Sequence, residues 1–204
     1  MSRIGGNCRI VMAPSLAAAA LALGGGCGGD ESDTVDPGSA NPDSALTADE
    51  AQVAVKDADP ELASVRDEAN EILDGGIDGF DARLAELEAQ GIPVVVNKWA
   101  SWCGPCREEF PDFQAQAIER GSDVAFLGLL SNDGPETGET FLAEFPLPYP
   151  SYLDSDQEIA NDRGIAREFP TTLFIDSEGE VAFTKIGPYT SEDELAADIE
   201  RYAQ

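Results

Sequence analysis

The sequence predicts an α/β fold on three observations. Short apolar runs of the kind buried in a central strand recur at Val94–Trp99, Val124–Leu130 and Thr172–Ile175, with segments of helical spacing between them. The order of elements is strand, helix, strand, then a strand hairpin and a helix. The hairpin turns at Asp176-Ser-Glu-Gly179 into a return strand, Val181–Ile186. A Cys-Gly-Pro-Cys turn, residues 103–106, stands where the first of these strands gives way to a helix.

Composition bounds the function. A chain of 204 residues holds one domain of ordinary size plus extras, and an apolar fraction of 42% is enough for a core. The formal net charge of −28 argues against nucleic acid and against adsorption to an anionic membrane surface. The sequence has no histidine, which removes Ser-His-Asp and Cys-His catalysis and every histidine-containing metal site. The cysteines are Cys8, Cys27, Cys103 and Cys106. A zinc site needs about four ligands and one CxxC offers two, so neither a metal nor a cofactor is expected.

From the N-terminus, Arg3 and Arg9 form a positive region ahead of an apolar run, Ile10–Leu23. That run is too short to span a bilayer, which needs about 20 apolar residues, and it reads as a signal peptide over residues 1–26. Its end, Leu21-Ala-Leu-Gly-Gly-Gly-Cys27, resembles a bacterial lipobox, with Gly24 where the usual Leu stands. The resemblance implies that Cys27 is lipidated and anchors the protein to the outer face of the cell membrane. If Cys27 is not lipidated, the protein is secreted. Residues 27–58, rich in Gly, Ser, Asp and Pro at their start, are expected to form a disordered tether. Within them Thr47-Ala-Asp-Glu50 fits a capping box. Asp59-Pro60-Glu61 then starts a helix with Leu62, Val65, Ala69 and Ile72 on one face, stopped by Gly75-Gly76. Phe80, Leu84 and Leu87 mark a second helix, ended by Gly91. These helices, 59–91, are expected to be an extension of a single domain over residues 59–204.

The chemistry centres on Trp99-Ala-Ser-Trp-Cys-Gly-Pro-Cys-Arg107. A helix that begins at Cys103 aims amide N–H groups and its positive dipole end at the sulfur, which favours thiolate, the reactive form. Cys106, in the first turn, is close enough to close a disulfide, so the stretch reads as a dithiol that cycles between two redox states. Cys106, Phe110, Phe113 and Ala117 mark the inward face of this helix, and Pro111 is expected to kink it. Glu109 lies within the inward face, where desolvation raises a carboxyl pKa and suits it to exchange protons with a thiol. Glu108 points towards water. Lys98 has two candidate fates, snorkelling to the rim or pairing with an acid. Beyond the second strand, Ser131–Pro135 is a loop, and Phe141, Leu142 and Phe145 suggest a short helix broken by Pro146, Pro148 and Pro150. Tyr152-Leu153-Asp154 begins a new segment, and Ile159–Ala166 is expected to be helical. In the last helix, opened by the capping box Ser191-Glu-Asp-Glu194, Leu195, Ile199 and Tyr202 face the core.

Trp102-Cys-Gly-Pro-Cys106 after a Val-rich strand resembles the active site of the thioredoxin superfamily. The flanks, Val96-Asn-Lys-Trp-Ala-Ser-Trp102 and Arg107-Glu-Glu-Phe-Pro111, resemble its membrane-tethered TlpA/ResA branch. The resemblance runs from about Glu71 to the C-terminus. It implies the thioredoxin fold, a central mixed sheet flanked by helices, with the segment from Asn132 to Arg167 as the branch's insertion. Thioredoxins proper carry a buried Asp where Asn97 stands, and Asn cannot move a proton. In this branch the Glu of Cys-x-x-Glu-x-Pro is the active-site acid, and Glu109 matches it. The family also implies a cis Pro170, with Phe169, Pro170 and Thr171 binding an incoming peptide as an added strand.

The activity so implied is extracytoplasmic thiol–disulfide exchange. Cys103 attacks, Cys106 resolves, Glu109 handles protons, Trp102 shields one side of Cys103, and Gly104 and Pro105 tune the thiolate. Protein disulfides are the substrates and a membrane thiol carrier the electron donor, with apocytochrome c among the family's clients. Gly104-Pro105 leans towards a reductase, with a disulfide-forming oxidase as the alternative. Two further alternatives are a peroxiredoxin-like peroxidase and a non-catalytic binding module. The Pro-x-x-x-Thr-x-x-Cys pattern of peroxidases is missing, because Ala100 stands at the Thr position and Pro93 ten residues before Cys103. The intact CxxC argues against a binding module.

Overall fold

A computed structural model of the protein describes residues 62–204. The signal peptide, Cys27, the tether and the helix start at Asp59-Pro60-Glu61 lie outside the described residues.

Six strands form one mixed sheet in the order β1-β4-β3-β2-β5-β6. They are β1 (Ile72–Leu73), β2 (Val94–Trp99), β3 (Ala125–Ser131), β4 (Ser151–Asp154), β5 (Thr171–Ile175) and β6 (Val181–Ile186). β1, β4, β3 and β2 run parallel, β5 pairs antiparallel with β2, and β6 pairs antiparallel with β5. The helices are α1 (Ala63–Asp67), α2 (Gly76–Ala89), α3 (Gly104–Arg120), α4 (Pro135–Glu144), α5 (Glu158–Asp162) and α6 (Glu192–Tyr202). α3 packs against α6, and α2 against α5 and β4.

The central strands are buried along their whole length, which is why β2 and β3 read as continuous apolar runs rather than alternating ones. Behind the dithiol, Trp99 stacks on Phe141 at 5.3 Å and meets Phe110 edge-on at 5.4 Å, while Phe110 meets Phe141 at 5.2 Å. The Trp99 indole N–H donates to Ser151 Oγ on β4 at 3.1 Å. Gly128 on β3 makes that approach possible, since a Cβ there would run into Ser151 Oγ and come within 3.0 Å of the indole nitrogen. In α6, Ser191 caps the Glu194 N–H at 3.3 Å, and Leu195 and Ile199 are buried.

Two expectations need correction. The first extension helix is one short turn, Ala63–Asp67, and Ile72 belongs to a strand that pairs with Ser151. Past the Glu68 C-cap, Asn70 takes a left-handed φ of 65°, and its side-chain carbonyl accepts from Leu147 N–H at 2.9 Å. The extension therefore supplies an edge strand of the sheet, and Gly75-Gly76 opens α2 rather than closing a helix. The helix expected over Ile159–Ala166 stops at Asp162, with Gly164 at a φ of 70°. α3 continues through Pro111 to Arg120.

Candidate active site

Cys103 is the N-cap of α3, with Gly104 and Pro105 exposed in the first turn. Its sulfur accepts the Cys106 backbone N–H at 3.2 Å. The two cysteines form a disulfide with an S–S distance of 2.01 Å and Cα atoms 5.3 Å apart. Cys106 is fully buried and Cys103 is 4% exposed. The first cysteine thus sits at the positive end of a 17-residue helix and carries the slight exposure of the pair.

Glu109 is one turn further along the same face and fully buried. Asn97 Nδ2 on β2 donates to one carboxylate oxygen at 2.8 Å, and the Tyr189 backbone N–H donates to the other at 3.1 Å. Burial pushes the Glu109 carboxyl up to about 7, and Asp112 adds to the rise. The two hydrogen bonds and the Lys185 ammonium hold it back from going further. Glu108 points to solvent, as its helical position predicts. Asn97 therefore has a different part from the Asp of thioredoxins proper, since it orients a carboxylate on the neighbouring helix.

On the other side of the dithiol, Trp102 is 56% exposed. Its indole N–H donates to Asn132 O at 3.1 Å, and its ring packs on Phe169 with centroids 4.9 Å apart. The Phe169–Pro170 bond is cis. Pro170 and Thr171 are buried. Pro170 O accepts from Gly187 N–H at 3.0 Å, and Thr171 Oγ1 donates to Glu168 O at 2.8 Å. The ring contact brings the expected client-binding segment to the residue beside Cys103.

Sequence reasoning missed three contributors. Asp133 binds Ser101 N–H at 2.7 Å and Gly134 N–H at 2.8 Å, fixing the turn ahead of Cys103. Burial would raise its carboxyl, but the bonds from Ser101, Thr137 and Gly134 win and hold it below its ordinary value. The Tyr189 backbone left no signal, because its partner Glu109 is 80 residues away. Lys98 neither snorkels nor pairs directly with an acid. It is fully buried, with Nζ donating to Ile165 O and lying 3.8 Å from the centre of the Phe169 ring.

The arrangement is a Cys-x-x-Cys disulfide with a buried carboxyl one helical turn behind it and an aromatic pair beside it. Comparison with known proteins gives the same chemistry. The model of the AhpC/TSA family matches residues 65–184, more than half of the chain. The sporulation thiol-disulfide oxidoreductase A of Bacillus subtilis strain 168 is 33% identical over 57% of this chain and 70% of its own length. The thiol-disulfide oxidoreductase ResA of Bacillus thuringiensis strain Al Hakam is 29% identical over 66% of this chain and 77% of its own. Among solved structures, a Chlorobium tepidum protein assigned as the thiol:disulfide interchange protein DsbE superposes with a TM-score of 0.50. It is 27% identical, and the match covers 55% of this chain and 80% of that one. The chain belongs to the AhpC/TSA family and, within it, to the thiol–disulfide oxidoreductases of the TlpA/ResA type.

Proposed function

We propose that this oxidoreductase reduces protein disulfides outside the cytoplasm, with Cys103 attacking, Cys106 resolving and Glu109 carrying the proton. The observation that carries the reading is the fully buried Glu109 carboxyl, one helical turn from Cys106 and near pKa 7. A group poised there gives and takes a proton with equal ease at neutral pH.

The Cys103 thiolate attacks one sulfur of the client disulfide. That S–S bond breaks, a mixed disulfide forms, and the departing client sulfur takes up a proton. Ionised Glu109 accepts the Cys106 proton, and the new thiolate attacks Cys103 Sγ. The mixed disulfide breaks and the second client sulfur leaves as a thiolate. The client has gained two electrons, and the protein holds the Cys103–Cys106 disulfide described above. Return to the dithiol needs an external dithiol, and the reading assigns that part to a membrane thiol carrier.

Gly104 and Pro105 keep the first turn free of side-chain polar groups that would compete for the Cys103 thiolate. Trp102 and Phe169 offer an apolar contact beside it, and the Phe169–Thr171 backbone receives the client as an extended strand. In this reading residues 1–26 export the chain, lipidated Cys27 anchors it, and residues 27–58 hold the domain at 59–204 off the membrane. More than one acyl chain on Cys27 gives firm anchoring.

The test is insulin reduction with dithiothreitol as donor. Wild type accelerates it, Cys103→Ser abolishes the acceleration, and Cys106→Ser accumulates a mixed disulfide with the client. Equal rates for wild type and Cys103→Ser overturn the reading.

A further inference from the structure

Lys98 is a fully buried lysine that the exchange chemistry does not use. Lysine is almost never buried without a partner, and here the direct partners are a carbonyl and a ring. On β2 it follows Asn97, and neighbouring strand residues point to opposite faces of the sheet. Asn97 serves Glu109 on α3, so Lys98 faces away from the proton-transfer cluster, towards the segment that leads into Pro170.

It holds that segment at two points. Nζ donates to Ile165 O at its start and lies 3.8 Å from the Phe169 ring centre at its end. An ammonium over an aromatic face is attracted by the ring quadrupole, and more strongly where water is excluded. Hydrogen bonds at the Pro170 carbonyl and the Thr171 hydroxyl hold the main chain, and Lys98 holds the Phe169 side chain from beneath. Phe169 in turn packs on Trp102 at 4.9 Å, and Trp102 is exposed beside Cys103. Lys98, Phe169 and Trp102 thus form one stack from the core to the surface. Burial lowers the Lys98 ammonium to about 8, with Glu168 before β5 and Asp154 at the end of β4 opposing the shift, so it is charged at neutral pH.

We propose that Lys98 is a positioning residue for client selection: it locks Phe169 against Trp102, and the locked pair favours disulfides flanked by an aromatic or large aliphatic side chain. The proposal rests on the reading that clients dock at Phe169, and the experiment separates the two.

Two otherwise identical disulfide peptides are reduced by the full chain, one with Phe and one with Ser beside the attacked cysteine. Wild type is expected to favour the Phe peptide about tenfold in kcat/KM, the worth of one aromatic contact. Lys98→Met, which keeps length and removes charge, is expected to raise KM for the Phe peptide about fivefold and leave kcat within about twofold. Phe169→Leu keeps apolar bulk without a π face, and is expected to lose the same preference. Combining the two substitutions adds nothing further. If Phe169→Ala keeps the preference for the Phe peptide, docking at Phe169 is wrong and the proposal falls with it. If Phe169→Ala loses the preference but Lys98→Met keeps it, docking stands and the role of Lys98 is overturned. Should Lys98→Met not fold, retention of the preference by Phe169→Leu overturns the role of Lys98 by itself.

Discussion

In the proposed exchange, Glu109 links catalysis to stability through one proton. Its folded pKa of about 7 stands above the ordinary 4.5, so the folded protein holds this proton more tightly than the unfolded chain does. The stabilisation is fully present below pH 4.5 and is lost as pH rises through 7. The difference between the two plateaus is about 3 kcal/mol, since one pKa unit is worth 1.36 kcal/mol. Glu109→Gln should therefore flatten the pH dependence of urea unfolding across this window. The same substitution should slow exchange at pH 7 by about a hundredfold, the low end for loss of a general acid–base group. An unchanged rate would leave the carboxyl a structural group only. Asn97 carries both a donor and an acceptor for the Glu109 carboxyl. Its Nδ2 donates to the carboxylate, while its buried Oδ1 has no partner and can accept from the carboxylic acid after an amide flip.

Much of the element order was legible because buried parallel strands leave unbroken apolar runs and helices leave spaced ones. Val94–Trp99, the α3 helix starting at Cys103 and the Ser191 cap could be read locally. Glu109 was legible for the same reason, lying three residues after Cys106 on an apolar face. Strand β1 was not. Ile72–Leu73 is two residues long, and its pairing partner, Ser151–Tyr152, lies in the insertion. Asn97, Lys98 and Tyr189 were opaque as site residues because their partners lie 12, 67 and 80 residues away. Packing between elements gives a prediction of its own. Gly128→Ala forces Ser151 and the Trp99 indole apart and loses the bond joining β2 to β4. A loss of about 1–3 kcal/mol in unfolding free energy is expected, the usual range for overpacking a tight core. A variant as stable as wild type would mean that β3 and β4 separate freely at this point.

Across the whole molecule, β2 is the strand on which the two halves of the site meet. It pairs parallel to β3 and antiparallel to β5, so it joins the dithiol and α3 to the Phe169–Thr171 segment. Asn97 and Lys98, adjacent in sequence, contact Glu109 on one face and Phe169 on the other. The net charge of −28 repels acidic partners, and Trp102 adds an exposed apolar contact beside Cys103. The direction of electron flow is read from the reduction potential of the Cys103–Cys106 pair. Equilibration with dithiothreitol buffers should give a value closer to thioredoxin, about −270 mV, than to DsbA, about −120 mV. A value near the DsbA end would contradict the reductase function and make the protein a donor of disulfides to its clients.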